Sequence, residues 1–441
     1  MTDGVTDMAT AGPGTGGLRP LLDAVHETAC EVRARRPDYF EQRPLRLPAD
    51  LLERHGAGRD EVRRLVSEAY GLRLEPAADA RDCTAVDRLA ATRAARGPEP
   101  GAGGSGGGTD SGGVPTAAGL AAVVREQDEA RRSLEQQAAR IARTEPRRVG
   151  VMGGVLPYVA AGTARDGEPP VVLVNALGMG TALWHPLMAA LAPAHRVLTW
   201  APRGTRAGTR PLRLRDQADD LAAVLAAEGV RECHLVGWCS GPKTAVEFHR
   251  RRPDAVRSMV FLHGSFRHTG DPAGREPDTP YERGLEELCR AVAARPALAA
   301  RMRALFTGRR AGLPDDLSAH RFAEEVLALP APGLEEELLR PFADDVLPAY
   351  ARQLLDYWDH DALAHAGRVR VPVLCVTAEF DRIASPERLA QAAGRFPDAR
   401  HERLPGATHY SMYDRPREVA RLLGDFFSTA RPRSIVSGTA R

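Results

Sequence analysis

Lysine is nearly missing from this chain. Of 60 basic residues in 441, only Lys243 is a lysine, so the positive charge is arginine spread along the whole length, a pattern of codon bias rather than of a binding stripe. With 58 acidic residues the formal charge is +2. No global field attracts nucleic acid or an anionic membrane, and neither is expected as a partner. Long apolar runs are also lacking. No stretch approaches the roughly 18 residues of a membrane-spanning helix, and Met1 to Arg19 has no apolar core of a signal peptide, so a cytoplasmic protein is expected. The six cysteines (Cys30, Cys83, Cys233, Cys239, Cys289, Cys375) show neither a CxxC pair nor Cys/His ligand spacing. That excludes a disulfide framework and a structural zinc site, and no metal or cofactor is expected.

What is present is an ordinary globular composition, 43% hydrophobic and 27% charged, over a length that implies more than one domain. Residues 1–18 and 431–441 read as flexible tails. Residues 97–116 lose all periodicity to Gly, Pro, Ser and Ala and read as a linker, a coil spanning roughly 25 Å. Before it, residues 19–96 carry helical patterns: Leu21, Leu22, Val25 and Ala29 share one face, Val62, Leu65, Val66 and Tyr70 another, and a third helix is expected near Thr84. Residues 117–148 read as a linking segment, helical from Ala117 to Arg143.

From Val149 to about residue 430 strands and helices alternate. Val149–Met152 and Leu156–Val159, with Gly153-Gly154 between them, predict a hairpin. Strands are expected at Val171–Asn175, Arg196–Trp200, Cys233–Gly237, Ser258–His263, Val373–Thr377 and Arg400–Leu404. Continuous apolar runs of this kind belong to a parallel sheet covered on both faces. Residues 266–368 hold helical patterns and no strand, which predicts a lid inserted between two sheet strands.

Gly237-Trp238-Cys239-Ser240-Gly241 follows the strand from Cys233 and precedes a helix. A nucleophile at such a strand-to-helix corner needs small residues two before and two after it, because neighbouring backbone leaves no room for side chains. With Cys239 central the glycines fall there; with Ser240 central, Trp238 and Pro242 would. A helix N-terminus also favours an anion placed at it. Asp381 follows the strand Val373–Thr377, His409 follows Arg400–Leu404, and the order nucleophile, acid, histidine is complete. The oxyanion donors are expected to be the backbone N–H of Ser240 and that of Leu177, on the loop after Val171–Asn175. Trp238, Met179 and His263 are candidate pocket residues.

On these motifs, residues from about Val149 to Phe427 resemble the α/β-hydrolase superfamily. The resemblance implies an α/β-hydrolase fold: a mostly parallel sheet with a helical lid insertion, beside a small N-terminal helical domain. The chain departs from the usual pattern in having cysteine for serine at 239 and Asn175-Ala176 where His-Gly is common. A thiolate exchanges one thioester for another at nearly equal free energy, so the expected activity is that of a thioesterase or acyltransferase. An acyl group passes from a thioester onto Cys239 and is then released, transferred or cyclised. Residues 19–96, through Leu51 to Ala57, Val62 to Leu74 and Cys83 to Leu89, resemble an acyl-carrier-protein frame of about 75 residues, with Gly56-Ala57-Gly58-Arg59-Asp60 where the phosphopantetheine serine would stand. That implies a degenerate carrier and an acyl substrate delivered on a carrier protein; the other reading of these residues is a small helical domain of no such ancestry. The alternatives are hydrolysis of a small ester or lactone without a carrier, and a catalytically silent scaffold.

Overall fold

The computed structural model describes residues 17–96, 116–163, 167–205, 212–270, 278–307 and 317–430. The expected linker and the outer tails therefore lie outside the described residues, apart from their last one or two positions. The chain divides into two compact units, residues 1–130 with 316–326, and residues 131–315 with 327–441.

In the first unit the expected helical faces are buried. Leu21, Leu22, Val25 and Ala29 of the helix Arg19–Arg35 are at most 2% exposed, and Val62, Leu65, Val66 and Tyr70 line the inner face of Asp60–Tyr70. The third helix, Ala85–Ala95, starts on a capping box between Thr84 and Asp87. The unit is not purely helical, however. Two strands, β1 (Leu45–Pro48) and β2 (Leu74–Ala77), pair in parallel. Their buried leucines, Leu45, Leu47 and Leu74, alternate with exposed or half-exposed residues over too few positions to separate a strand from a loop by pattern.

Two further divisions differ from the sequence reading. The helix Ala117–Arg143 contributes its first half to the first unit, where Gln127 Nε2 donates to Asp23 (2.7 Å) and Tyr70 Oη donates to Gln127 (2.9 Å). Part of the expected lid also belongs there: Phe322 stacks on Tyr39 with centroids 6.0 Å apart, beneath the Arg43 guanidinium at 4.2 Å. Phe322 sits in an ordinary amphipathic helix, and nothing in its spacing names the surface it covers.

The second unit is built on strands β3 (Arg147–Val151), β4 (Gly154–Ala161), β5 (Val171–Val174), β6 (Val197–Thr199), β7 (Cys233–Trp238), β8 (Val256–Leu262), β9 (Val373–Ala378) and β10 (Ala399–Leu404). They form one sheet in the order β10-β9-β8-β7-β5-β6-β4-β3. Pairing is parallel from β10 to β6 and antiparallel on both sides of β4. The hairpin turns on Gly153 (φ +79°) and Gly154 (φ +156°), a backbone open to glycine alone without strain.

Every residue of β5, β7 and β9 is buried, because both faces of the sheet are covered. Val172, Val174 and Leu235 enter one core; Val171, Leu173, Val236 and Trp238 enter the other, together with Ile141 of the helix Ala117–Arg143. Between β8 and β9 the described residues hold the helices Pro280–Ala294, Ala299–Thr307, Ala319–Ala328, Glu335–Leu339 and Leu347–Asp359 and no strand.

Candidate active site

β5, β7, β8, β9 and β10 all end at the same edge of the sheet, where open parallel sheets bind their ligands. Leu177, Cys239, His263, Asp381 and His409 follow those strands in turn.

Cys239 has φ +55°, one of only two non-glycine residues with positive φ among the described residues. A side chain is held in that region only where the surroundings fix it. Here they do: a Cβ on Gly237 would lie 2.7 Å from the Pro242 nitrogen, and one on Gly241 would lie 2.2 Å from the Val174 carbonyl oxygen. The chain can pass between β5 and the helix Gly241–Arg251 only with glycine at both positions, and Cys239 is driven out at the apex. Cys239 is partly exposed and lines the cleft.

His409 is 2% exposed and shares a 2.8 Å hydrogen bond between its Nδ1 and Asp381 Oδ2. The other carboxylate oxygen of Asp381 accepts from the Ile383 and Ala384 N–H groups, both at 2.9 Å, so its direction is fixed. His409 Nε2 is buried and makes no hydrogen bond of ordinary geometry among the described residues. Burial disfavours a charged imidazole, but the charges of Asp381 and Cys239 and the hydrogen bond to Asp381 outweigh it and push the His409 pKa up to about 10.

The loop carrying His409 is tied down from three sides. Trp238 Nε1 donates to the His409 carbonyl (2.9 Å), Arg415 donates to the Pro405 and Gly406 carbonyls (2.6 and 2.5 Å), and the Gly406 N–H donates to Glu379 (2.7 Å). Arg415 and Glu379 belong to no recognisable motif; Trp238 is marked by its place in the elbow, though as a pocket residue.

Trp238 and Met179 line the cleft, a space of about 670 Å³ counting its open mouth, together with Tyr281, Tyr350, Trp358 and Tyr410. His263 does not. It is 2% exposed, its Nε2 paired with Ser411 Oγ at 2.7 Å and its ring 5.8 Å from that of His409. Burial pushes its pKa down to about 3, so it packs behind His409 as a neutral group. The strand end that aims His263 at the catalytic edge also turns it, at φ +49°, away from the cleft.

The expected oxyanion donors are at the site, with one change. The Leu177 N–H is already used: it donates to Ser240 Oγ at 3.0 Å. Two titratable groups on the cleft wall are likewise committed, and burial moves both toward their neutral forms, Lys243 down to about 7 and Glu282 upward. Lys243 donates to the carbonyls of Arg267 (2.6 Å), Tyr357 (2.5 Å) and His360 (2.8 Å). Glu282 is held by Arg388 (3.1 Å), by Ser265 (3.3 Å) and by the Thr279 N–H (2.9 Å). Among the described residues no cluster of His, Cys, Asp and Glu could hold a metal ion, and no helix is long and apolar enough to cross a membrane.

Comparison with known proteins bears on the fold. Residues 169–416 match a family model described as alpha/beta hydrolase fold. The RutD protein of Azorhizobium caulinodans, named as a carbamate hydrolase, is 24% identical over 265 residues, 58% of this chain and 91% of its own. The RutD protein of Pantoea ananatis is 33% identical over 111 residues, 24% of this chain and 40% of its own, so the chain spans well under two thirds of that relative. Among solved structures, the enol-lactonase of Burkholderia xenovorans LB400 overlays with a TM-score of 0.46 and 22% identity, covering 64% of this chain and all of the lactonase.

Proposed function

The chain belongs to the α/β-hydrolase fold family, and from that premise we propose that it is a hydrolase of small, uncharged esters or lactones that works through an acyl-Cys239 intermediate. The observation that carries the reading is Cys239 at a strained elbow beside the His409–Asp381 pair. The Cys239 thiol gives its proton to His409 Nε2 and the sulfur attacks the carbonyl carbon; as the carbon–sulfur bond forms, the carbonyl π pair moves to oxygen. Collapse of that oxyanion expels the alkoxide, which takes the proton held on His409 Nε2. Neutral His409 then takes a proton from water as it attacks the thioester, and the acid leaves with the sulfur restored.

The substrate class follows from the wall of the cleft. Tyr281, Tyr350, Tyr410, Trp238 and Trp358 supply apolar faces, while Lys243 and Glu282 have their hydrogen-bonding capacity filled by protein. A charged group seated against that wall, away from Cys239 and His409, would be desolvated without a partner, a cost of several kcal/mol. The hydrolase name of the RutD relatives supports water as acceptor, and the neutral wall argues against their named substrate class where it is ionised.

A second reading, acyl transfer from a thioester, is favoured by one observation: the nucleophile is sulfur. A thioester intermediate is relatively more reactive toward amines than an oxygen ester is. In that reading the first unit is a degenerate carrier kept for docking, with Arg59 at the N-cap of the helix Asp60–Tyr70 where a loaded carrier would present serine. A panel of p-nitrophenyl esters, small lactones and acyl-pantetheine thioesters, with product masses, separates the two. Turnover of neutral esters and lactones to free acids supports the first reading. Turnover confined to thioesters, with acyl transfer to an added amine, supports the second.

A further inference from the structure

Ser240 enters the sequence reading through its backbone N–H alone, yet its side chain occupies the position where the second oxyanion donor is expected. Ser240 is the N-cap of the helix Gly241–Arg251, but its hydroxyl makes no capping bond. The residue at N2 is Pro242, which has no N–H, and the Lys243 N–H goes to the Ser240 carbonyl at 3.3 Å. The hydroxyl instead turns across the cleft floor and accepts the Leu177 N–H at 3.0 Å. Ser240 is 8% exposed, and both Ser240 and Leu177 line the cleft with Cys239.

A hydroxyl has one proton to donate as well as lone pairs to accept with. The Leu177 N–H, being a donor, cannot take that proton, and no acceptor for it is found among the described residues. The direction left is the cleft. Resting on the site reading above, we infer that the Ser240 hydroxyl is a catalytic residue, the second donor to the oxyanion. It replaces the Leu177 N–H that it covers and relays the polarisation of that N–H to the developing charge. The negative oxygen then receives the Ser240 N–H and the Ser240 O–H from one residue. A hydroxyl already accepting a hydrogen bond is a stronger donor than a free one.

The alternative is that Ser240 only holds the Leu177 loop, in which case deleting its hydroxyl frees the Leu177 N–H and the oxyanion site is kept or improved. The two cases predict opposite signs. The experiment uses the full chain with p-nitrophenyl butyrate and follows the p-nitrophenol burst together with the mass of acylated protein. Ser240→Gly and Ser240→Ala both remove the hydroxyl. Glycine is well tolerated at an N-cap, so at least one folded variant is expected, checked by its melting temperature. Loss of one oxyanion donor should slow acylation about 10²–10³-fold with KM little changed, and Ser240→Thr, which keeps a hydroxyl, should recover most of it. Affinity for a trifluoromethyl ketone, which adds to a thiol to give a tetrahedral oxyanion, should fall in parallel in the Gly and Ala variants. If the folded variants acylate as fast as wild type or faster, this inference is overturned and the site reading stands. If wild-type protein forms no acyl-Cys239, both fall.

Discussion

The indole of Trp238 donates a 2.9 Å hydrogen bond to the main-chain carbonyl of His409, so the residue preceding Cys239 holds the backbone of the histidine. The rings of the two residues are also 5.2 Å apart. Cys239 and His409 follow strands separated by β8 and β9 in the sheet, and this bond ties their backbones directly. Trp238→Phe keeps an aromatic ring and leaves that buried carbonyl without its partner, a cost of about 1–3 kcal/mol. We expect a lower melting temperature and a fall in kcat with little change in KM. Unchanged kcat in a folded variant would show that other ties suffice to hold the loop.

Asp381→Asn removes the charge that most raises the His409 pKa. In the wild type this histidine titrates at about 10 instead of 6.5. Because the folded value lies above the unfolded one, the resulting stability is complete below pH 6.5 and is lost as pH rises toward 10. The stability difference between wild type and Asp381→Asn should therefore shrink across that window in chemical denaturation at a series of pH values. Activity should fall about 10³–10⁴-fold, as expected when the orienting carboxylate of a triad is neutralised.

Lys243, the single lysine, is 1% exposed, and its ammonium spends all three donors on carbonyls of Arg267, Tyr357 and His360. Two of those carbonyls lie at the end of the helix Leu347–Asp359, whose last carbonyls need partners. Native protein treated with an amine-reactive acylating reagent should carry no label on Lys243, while protein unfolded in guanidinium should be labelled fully. Partial labelling under native conditions would report opening of the region between β8 and β9. Lys243→Met should destabilise by several kcal/mol through the three orphaned acceptors.

Gly241→Ala tests the elbow itself. Its Cβ would stand 2.2 Å from the Val174 carbonyl oxygen, an overlap that only a shift of β5 or of the helix start can relieve. We expect a loss of stability of about 1–3 kcal/mol or more, together with loss of activity. A variant with wild-type melting temperature and wild-type rate would contradict the crowding argument that assigns Cys239 rather than Ser240 to the apex.

The sheet was legible because its strands are continuous apolar runs set between turn residues, and burial on both faces leaves no other reading. The gathering of Cys239, Asp381 and His409 was legible for a related reason. Each follows a strand, and those strands end at one edge of a parallel sheet. What pattern could not show is where side chains turn after the strand ends. His263 ends β8 at the same edge yet packs behind His409. The Ser240 hydroxyl takes the N–H that position alone assigns to the oxyanion. The cleft wall, Tyr281, Tyr350 and Trp358, comes from the helices between β8 and β9, whose amphipathic spacing marks an inner face without naming what it covers. The pair β1 and β2 was too short for its period to be read.

The most direct test of the account is the site of acylation. Full-length protein is mixed with p-nitrophenyl butyrate, quenched in acid within the burst and digested, and the peptides are mapped by mass. The butyryl group is expected on Cys239, removable by neutral hydroxylamine as a thioester is, and absent from Cys239→Ala. A butyryl group on Ser240, or full turnover by a folded Cys239→Ala variant, would contradict it.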